Sequence, residues 1–451
     1  MKKNFILLTI VLVSLSVFIA CQDKASEKVK SDNDEVSLNI VTTEDLKKSL
    51  KDKNTVVVDI RSEAQYIGWK SNGVKRGGHI KGAVDFPLTW TKDLNNEKLN
   101  KLLNTKGITK NKTIIVYGQE VESSKEMMNI LKNLEYKNVK VYKEGITKWA
   151  SNKNLPMDRL KRYEKLVHPK WIKDLIDGKS PKTYNNKSYK IFEVSWGEGK
   201  DYKKGHIPGA YHLDTNLIEE EPLWNVKSDK DLETMLVNNG ITYNTTVVLY
   251  GKDTTAAARA ASVLMYSGVK DVRILNGGYA AWTKKGYEVE KDINKPEAVK
   301  EFGLNVPSNP EYIVGIEKAK KILTKENAEL VSIRSWPEYI GETSGYTYIE
   351  PKGRIKGAKW GHAGSDAYHM EHFRNIDNTM RNYNEIKKFW KEWDITSDKE
   401  ISFFCGTGWR ASETFFYAYL MGWDNISVYD GGWFEWSMDK SNPIEKGEPN
   451  K

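Results

Sequence analysis

The chain has 451 residues, 29% of them charged and 39% hydrophobic, a globular profile long enough for about three domains of ~150 residues. Its two cysteines exclude a disulfide framework in a protein of this size. The net charge of +9 is spread over 70 Lys and Arg with 61 acids among them, so no dense basic block marks a nucleic-acid partner; an anionic small substrate or a negative membrane surface fits the balance equally well.

Lys2 and Lys3 precede an apolar run from Phe5 to Ala20. The run is shorter than the ~20 residues of a membrane span and suits the core of a signal peptide, expected over residues 1–20. It ends Val17-Phe18-Ile19-Ala20-Cys21, which resembles the lipobox of bacterial lipoproteins, with Phe18 in place of the usual leucine. That resemblance implies cleavage before Cys21 and a lipid on its sulfur, hence an exported protein, periplasmic or at the cell surface and anchored to the membrane. A plain secretory signal with an incidental cysteine is the other reading. Residues 21–35 are polar and read as a flexible tether. With Cys21 lipidated, Cys405 is the only free thiol, an isolation that suits a cysteine with a chemical task.

Three copies of one pattern follow. Ile114-Ile115-Val116-Tyr117-Gly118, Val247-Val248-Leu249-Tyr250-Gly251 and Ile401-Ser402-Phe403-Phe404-Cys405 each read as an apolar strand, an aromatic residue and a turn residue. A helical stretch comes next, then the strands Val139–Tyr142, Val272–Leu275 and Ile426–Tyr429. Turns at Gly145, Gly277-Gly278 and Gly431-Gly432 lead to Trp149, Trp282 and Trp436. The intervals Gly118 to Trp149, Gly251 to Trp282 and Cys405 to Trp436 are identical, so Gly118 and Gly251 occupy the slot of Cys405. The upstream halves match too. The strands Val56–Arg61, Ile191–Val194 and Leu330–Arg334 precede Tyr66, Tyr202 and Tyr339. Gly78-His79-Ile80-Lys81-Gly82-Ala83, Gly205-His206-Ile207-Pro208-Gly209-Ala210 and Gly353-Arg354-Ile355-Lys356-Gly357-Ala358 come after. Strands alternating with helices predict a parallel sheet covered on both faces.

The Asp-x-Arg strand end, Gly-His-Ile-x-Gly-Ala, a strand ending in Cys and Gly-Gly-x-x-x-Trp together resemble the rhodanese homology domain. The resemblance runs through the chain in three copies. With the export signal and Cys405-Gly406-Thr407-Gly408-Trp409-Arg410 in the last copy, the chain is similar to the three-domain periplasmic sulfurtransferases of bacteria. It implies an α/β fold of three tandem rhodanese-like domains, each a parallel sheet flanked by helices. The expected spans are 36–155, 160–294 and 305–447, and only the third would be catalytic.

At Cys405 a strand ends and a helix begins. The first N–H groups of a helix lack carbonyl partners and favour negative charge. A thiol there should ionise more readily than a free cysteine, with Gly406 and Gly408 letting several N–H groups face it. The bland alternative is a small buried hydrophobe. Sulfur transfer needs such a nucleophile, which takes a sulfane sulfur as a persulfide and yields it to cyanide or a thiol. Glycine at 118 and 251 cannot do this, so those domains are expected to cover and narrow the third domain's pocket. A non-turnover sulfur carrier or docking scaffold is the alternative. The loop from Cys405 to Arg410 is one residue shorter than that of the related dual-specificity phosphatases and fits a single sulfur rather than a phosphate. Gly406-Thr407-Gly408 resembles the loops of mercaptopyruvate-preferring enzymes more than the basic loops of thiosulfate-preferring ones. Thr407 is a candidate donor to an oxyanion or carbonyl, Arg410 a candidate for a sulfonate or carboxylate or else a turn cap, and Trp409 a shield for the persulfide or packing beneath domain 2.

In the third copy Ser332 replaces the strand Asp, Glu338 stands where relatives often carry Arg, and Arg354 replaces His. Arg354 or Arg334 is thus a substitute donor-binding cation, with a structural ion pair as the competing role. The stretch Trp360-Gly361-His362 to His369-Met370-Glu371-His372 holds three of the seven histidines. It reads as a loop at the active-site mouth rather than a metal site, having no second ligand cluster. Neither metal nor cofactor is expected.

Overall fold

The computed structural model describes residues 39–449. The predicted signal peptide, the tether and Cys21 lie outside them. Three sheets repeat one parallel strand order. In the first, Val84–Asp85, Thr55–Asp59, Thr113–Tyr117 and Val139–Val141 lie side by side, and Ile40 bridges the outer edge at Val141. The second runs Leu166–Val167, Asp271–Leu275, Thr246–Tyr250, Tyr189–Ser195 and Tyr211–Asp214. The third runs Ile313–Val314, Ile426–Tyr429, Glu400–Phe404, Ala328–Ser332 and Lys359–Trp360. The central strands are buried on both faces, as their unbroken apolar runs require. Among the described residues no helix is long and apolar enough to cross a membrane.

The repeated glycines and tryptophans have a shared physical reason. Gly145, Gly278 and Gly432 adopt φ of 57°, 58° and 54°. A Cβ there would stand 2.7, 2.6 and 2.7 Å from the carbonyl oxygens of Gly118, Gly251 and Cys405. Only glycine permits both the conformation and the approach. Trp149, Trp282 and Trp436 are buried, and each indole N–H donates to a carbonyl just beyond its helix, of Pro156, Glu288 and Pro443.

The strand ends diverge. Asp59 forms a buried pair with Arg61 and accepts from the Tyr117 hydroxyl at 2.7 Å. Glu193 accepts from the Ser195 hydroxyl at 3.0 Å, and His212 Nε2 lies 3.7 Å away. Ser332 is buried. Burial raises the Glu193 carboxyl to about 7, with the Ser195 hydrogen bond opposing the shift. A carboxyl raised in the folded state costs nothing below its unfolded value of 4.5. It destabilises increasingly as pH climbs through 7. Glu193→Gln is therefore expected to stabilise the protein at pH 8, by up to about 3 kcal/mol, and to leave it unchanged at pH 4; urea unfolding at both pH values checks this.

Domain 2 meets domain 3 through two helices, Thr254–Ser267 and Trp409–Leu420, joined by Ser262 Oγ and Ser412 Oγ, 3.0 Å apart. Domain 1 docks on residues 375–385 of domain 3 and contributes none of the residues that line its cavity. Asn382 donates to the Tyr66 hydroxyl and to Asp85, both at 2.8 Å, and Lys106 bridges Asp85 and Glu385.

Candidate active site

Cys405 follows the buried strand Glu400–Phe404, and the helix begins at Trp409, so Trp409 and Arg410 form its first turn. Gly408 caps that helix at φ 104° and turns its N–H onto the sulfur, with N to Sγ 3.2 Å. The sequence led us to expect several such amides; among the described residues, this one meets the thiol. The second glycine turn holds the loop from behind, Trp433 N–H donating to the Cys405 carbonyl at 2.8 Å and Phe434 N–H to that of Gly406 at 3.1 Å. Gly406 carries the Tyr346 ring on its Cα face, where a Cβ would come within 2.3 Å of the ring.

The thiol is 1% exposed. Its loop neighbours Thr407, Trp409 and Arg410 line a cavity of about 740 Å³, as do Tyr346 and Tyr348, two tyrosines in electrostatic contact with it. That volume suits a small organic molecule. Burial raises the Tyr348 hydroxyl to about 12, with the nearby Thr407 side chain opposing the shift. Tyr346 donates to the Ala367 carbonyl at 3.2 Å, and burial raises its hydroxyl above the ordinary phenol range. Domain 2 supplies the opposite wall: Trp196, Glu219, Glu221, Pro222, Trp224 and Asp253. Domain 2 thus forms one wall of the pocket, as the sequence led us to expect.

The two walls are tied together by Arg259, fully buried on the domain 2 helix. Its Nε donates to Glu219 at 3.0 Å, its Nη2 to the Trp224 carbonyl at 3.0 Å, and its Nη1 pairs with Asp430 at 2.7 Å. Glu219 in turn accepts from the Trp409 indole at 2.7 Å. Trp409 therefore both lines the cavity and anchors to domain 2. The guanidinium lies against Gly408, where a Cβ would stand 2.9 Å from Nη1. Glu219 and Asp430 hold Arg259 well above its ordinary pKa despite burial.

One sequence assignment is corrected. Arg354 occupies the slot held elsewhere by His79 and His206, which stack on Tyr66 and Tyr202 at 3.7 Å. It lies over the Tyr339 ring at 5.0 Å, pairs with Glu445 at 3.2 Å and donates to the Gly447 carbonyl. It therefore fastens the C-terminal strand and does not line the cavity. Arg410 does line the cavity, with its Nε lacking a hydrogen-bond partner among the described residues. Its Nη1 and Nη2 donate to the two oxygens of Glu338, both at 2.9 Å. Burial opposes the charged form of Glu338, yet Arg410 and then Arg334 bring its carboxyl down to about 2. The histidines also separate. His369 pairs with Asp366 at the surface, whereas His362 stacks on Trp360 at 3.8 Å and packs against His372 and Phe389. Among the described residues no group of three His, Cys, Asp or Glu side chains is placed to hold a metal.

Tyr346, Tyr348, Trp196, Trp224, Glu219 and Arg259 were not singled out from sequence. Arg259 carried a signal, being a lone charge in Thr254-Thr255-Ala256-Ala257-Ala258-Arg259-Ala260-Ala261. A charge in an otherwise apolar helix requires a buried partner.

A family model described as "Rhodanese-like domain" matches residues 42–152, 163–285 and 316–439. The chain is 43% identical over 405 residues to thiosulfate sulfurtransferase YnjE of Escherichia coli (strain K12), covering 88% of this chain and 91% of YnjE. It is 30% identical over 262 residues to sulfur carrier protein TtuD of Thermus thermophilus, covering 55% of this chain and 87% of TtuD. Among solved structures, EanB in complex with ergothioneine matches with a TM-score of 0.89 and 42% identity, covering 92% of this chain and 100% of that one. Another EanB structure, with ergothioneine covalently linked to a persulfide cysteine, matches equally well, again with a TM-score of 0.89 and 42% identity.

Proposed function

The chain belongs to the rhodanese family and is a sulfurtransferase of it, and we propose that Cys405 is the residue that carries the sulfur. The observation behind this is the Gly408 amide on Sγ beside a cavity built by two domains. The Cys405 thiolate attacks the outer sulfur of thiosulfate. A new S–S bond forms, the old one breaks, and sulfite leaves with the bonding electrons. A thiolate or cyanide then takes the outer sulfur and regenerates the Cys405 thiolate. Mercaptopyruvate is the alternative donor, in keeping with Gly406-Thr407-Gly408. Incubating the protein with each donor should add one sulfur atom to the Cys405 peptide by mass spectrometry; an unmodified peptide with both donors rejects the reading.

A second acceptor has its own support. EanB has been seen with hercynine and with ergothioneine, which differ by one sulfur on the imidazole ring. The tyrosine and threonine altered in EanB structures stand at the same intervals from its persulfide cysteine as Tyr346 and Thr407 do from Cys405. Here Trp196, Trp224, Tyr348, Tyr368 and Trp409 offer faces to a trimethylammonium group. A ring C–H carbon would take the outer sulfur while the proton passes to the departing Cys405 sulfur. Ergothioneine formed from hercynine by the persulfide-loaded protein would support this acceptor.

Export and lipidation at Cys21 rest on Lys2, Lys3, the apolar run and Ala20-Cys21. Labelled fatty acid should enter the protein, and Cys21→Ala should prevent it.

A further inference from the structure

The cavity contains one cationic side chain among the described residues, Arg410, and three carboxylates from domain 2, Glu219, Glu221 and Asp253. Glu219 is matched by Arg259, and Asp253 lies 3.3 Å from Arg374. Glu221 is exposed and has no ion pair among the described residues. Arg410 is where an anionic acceptor would bind, and Glu338 already engages both its terminal nitrogens, leaving Nε without a hydrogen-bond partner among the described residues.

The engaging group is built for that task. Glu338 is fully buried. Besides Arg410, its Oε2 accepts from the Ser335 N–H at 2.9 Å and hydroxyl at 2.8 Å, and its Oε1 lies 3.4 Å from Arg334 Nε. Arg334 is pinned in turn by the Gly353 carbonyl at 2.7 Å and by the Trp433 ring. Gly345 crosses directly over Oε1, where a Cβ would approach to 2.4 Å, so the segment leading to Tyr346 and Tyr348 separates Glu338 from the cavity. Glu338 is absent from the cavity lining and acts only through Arg410.

We propose that Glu338 is a positioning residue that sets the charge preference for the sulfur acceptor. By taking both terminal nitrogens of Arg410 it withholds the cavity's cation from anions. It leaves aromatic faces and domain 2 carboxylates to receive neutral or cationic acceptors. Arg334 and Arg410 against Glu338 leave one net positive charge behind the loop, matching one thiolate or persulfide at Cys405. The inference rests on the reading that Cys405 carries the persulfide.

Two small thiols with opposite charge test it. Cysteamine and 3-mercaptopropionate are compared as acceptors from the persulfide-loaded full chain, in the wild type and in Glu338→Gln. The ratio of their kcat/KM values is compared between proteins, which cancels the difference in thiol acidity. With Arg410 released, KM for 3-mercaptopropionate should fall about tenfold and KM for cysteamine should rise, with kcat for each little changed. A merely structural role would move both KM values the same way, and that outcome overturns the proposal. In the wild type alone, raising salt should shrink the preference for the cationic thiol. A wild-type ratio that ignores salt overturns the proposal even if Glu338→Gln fails to fold. Failure to load sulfur onto Cys405 at all would instead reject the underlying reading.

Discussion

Cys405→Ser is expected to reduce sulfur transfer to background, a loss of at least about a thousandfold, while the thermal midpoint stays near that of the wild type. Serine fits the same buried seat and still accepts from Gly408 N–H. Its hydroxyl ionises far too weakly to attack a sulfane sulfur and holds no persulfide. A control in the first repeat separates chemistry from fold. At Gly118 an added Cβ would meet only the Ile60 side chain at 3.3 Å and the Glu120 carbonyl at 3.4 Å. Gly118→Ala should therefore retain full turnover. Substantial transfer by Cys405→Ser, measured with thiosulfate and cyanide, would remove Cys405 from the mechanism.

Arg259→Ala is expected to cost about 3–5 kcal/mol and most of the turnover, although it lies in a domain without a thiol. Its loss strands Glu219 and Asp430, both buried, without their counter-charge. Trp409 then hangs from a carboxylate that is itself unheld. Arg259→Lys restores charge but not the planar fork that reaches Glu219, Asp430 and the Trp224 carbonyl together, so it should recover only part of each loss. Urea unfolding and steady-state turnover of both variants check this. Wild-type stability in Arg259→Ala would mean that the domain interface does not depend on this cation.

The threefold architecture was legible because each repeat sets mostly apolar strands at the same intervals and each glycine turn is sterically compelled. Predicted and observed strand ends agree within about two residues, as at Val56–Arg61 against Thr55–Asp59. The loop from Cys405 to Arg410 could be found because two glycines mark its place in the other repeats. What escaped were pairings made across long sequence distances. Glu338 was visible as a departure, but nothing local says that its carboxylate meets Arg410. Arg354 was misread because a cation in a motif looks available until Tyr339 and Glu445 are seen to hold it. Tyr346, Trp196 and Glu219 converge only when helices 254–267 and 409–420 bring the second and third sheets together.

The two repeats without a cysteine differ at the equivalent position. At Gly251 a side chain would strike the Val194 and Asp253 carbonyls at 2.7 and 2.8 Å, so the polypeptide itself has closed that seat. At Gly118 the nearest obstacles allow a side chain to enter, and Gly145 still approaches its carbonyl as Gly432 approaches that of Cys405. The first repeat holds no reactive atom, yet its backbone leaves room for a Cβ at that position. Placing a thiol there takes one substitution, whereas at Gly251 the Val194 and Asp253 carbonyls would first have to move.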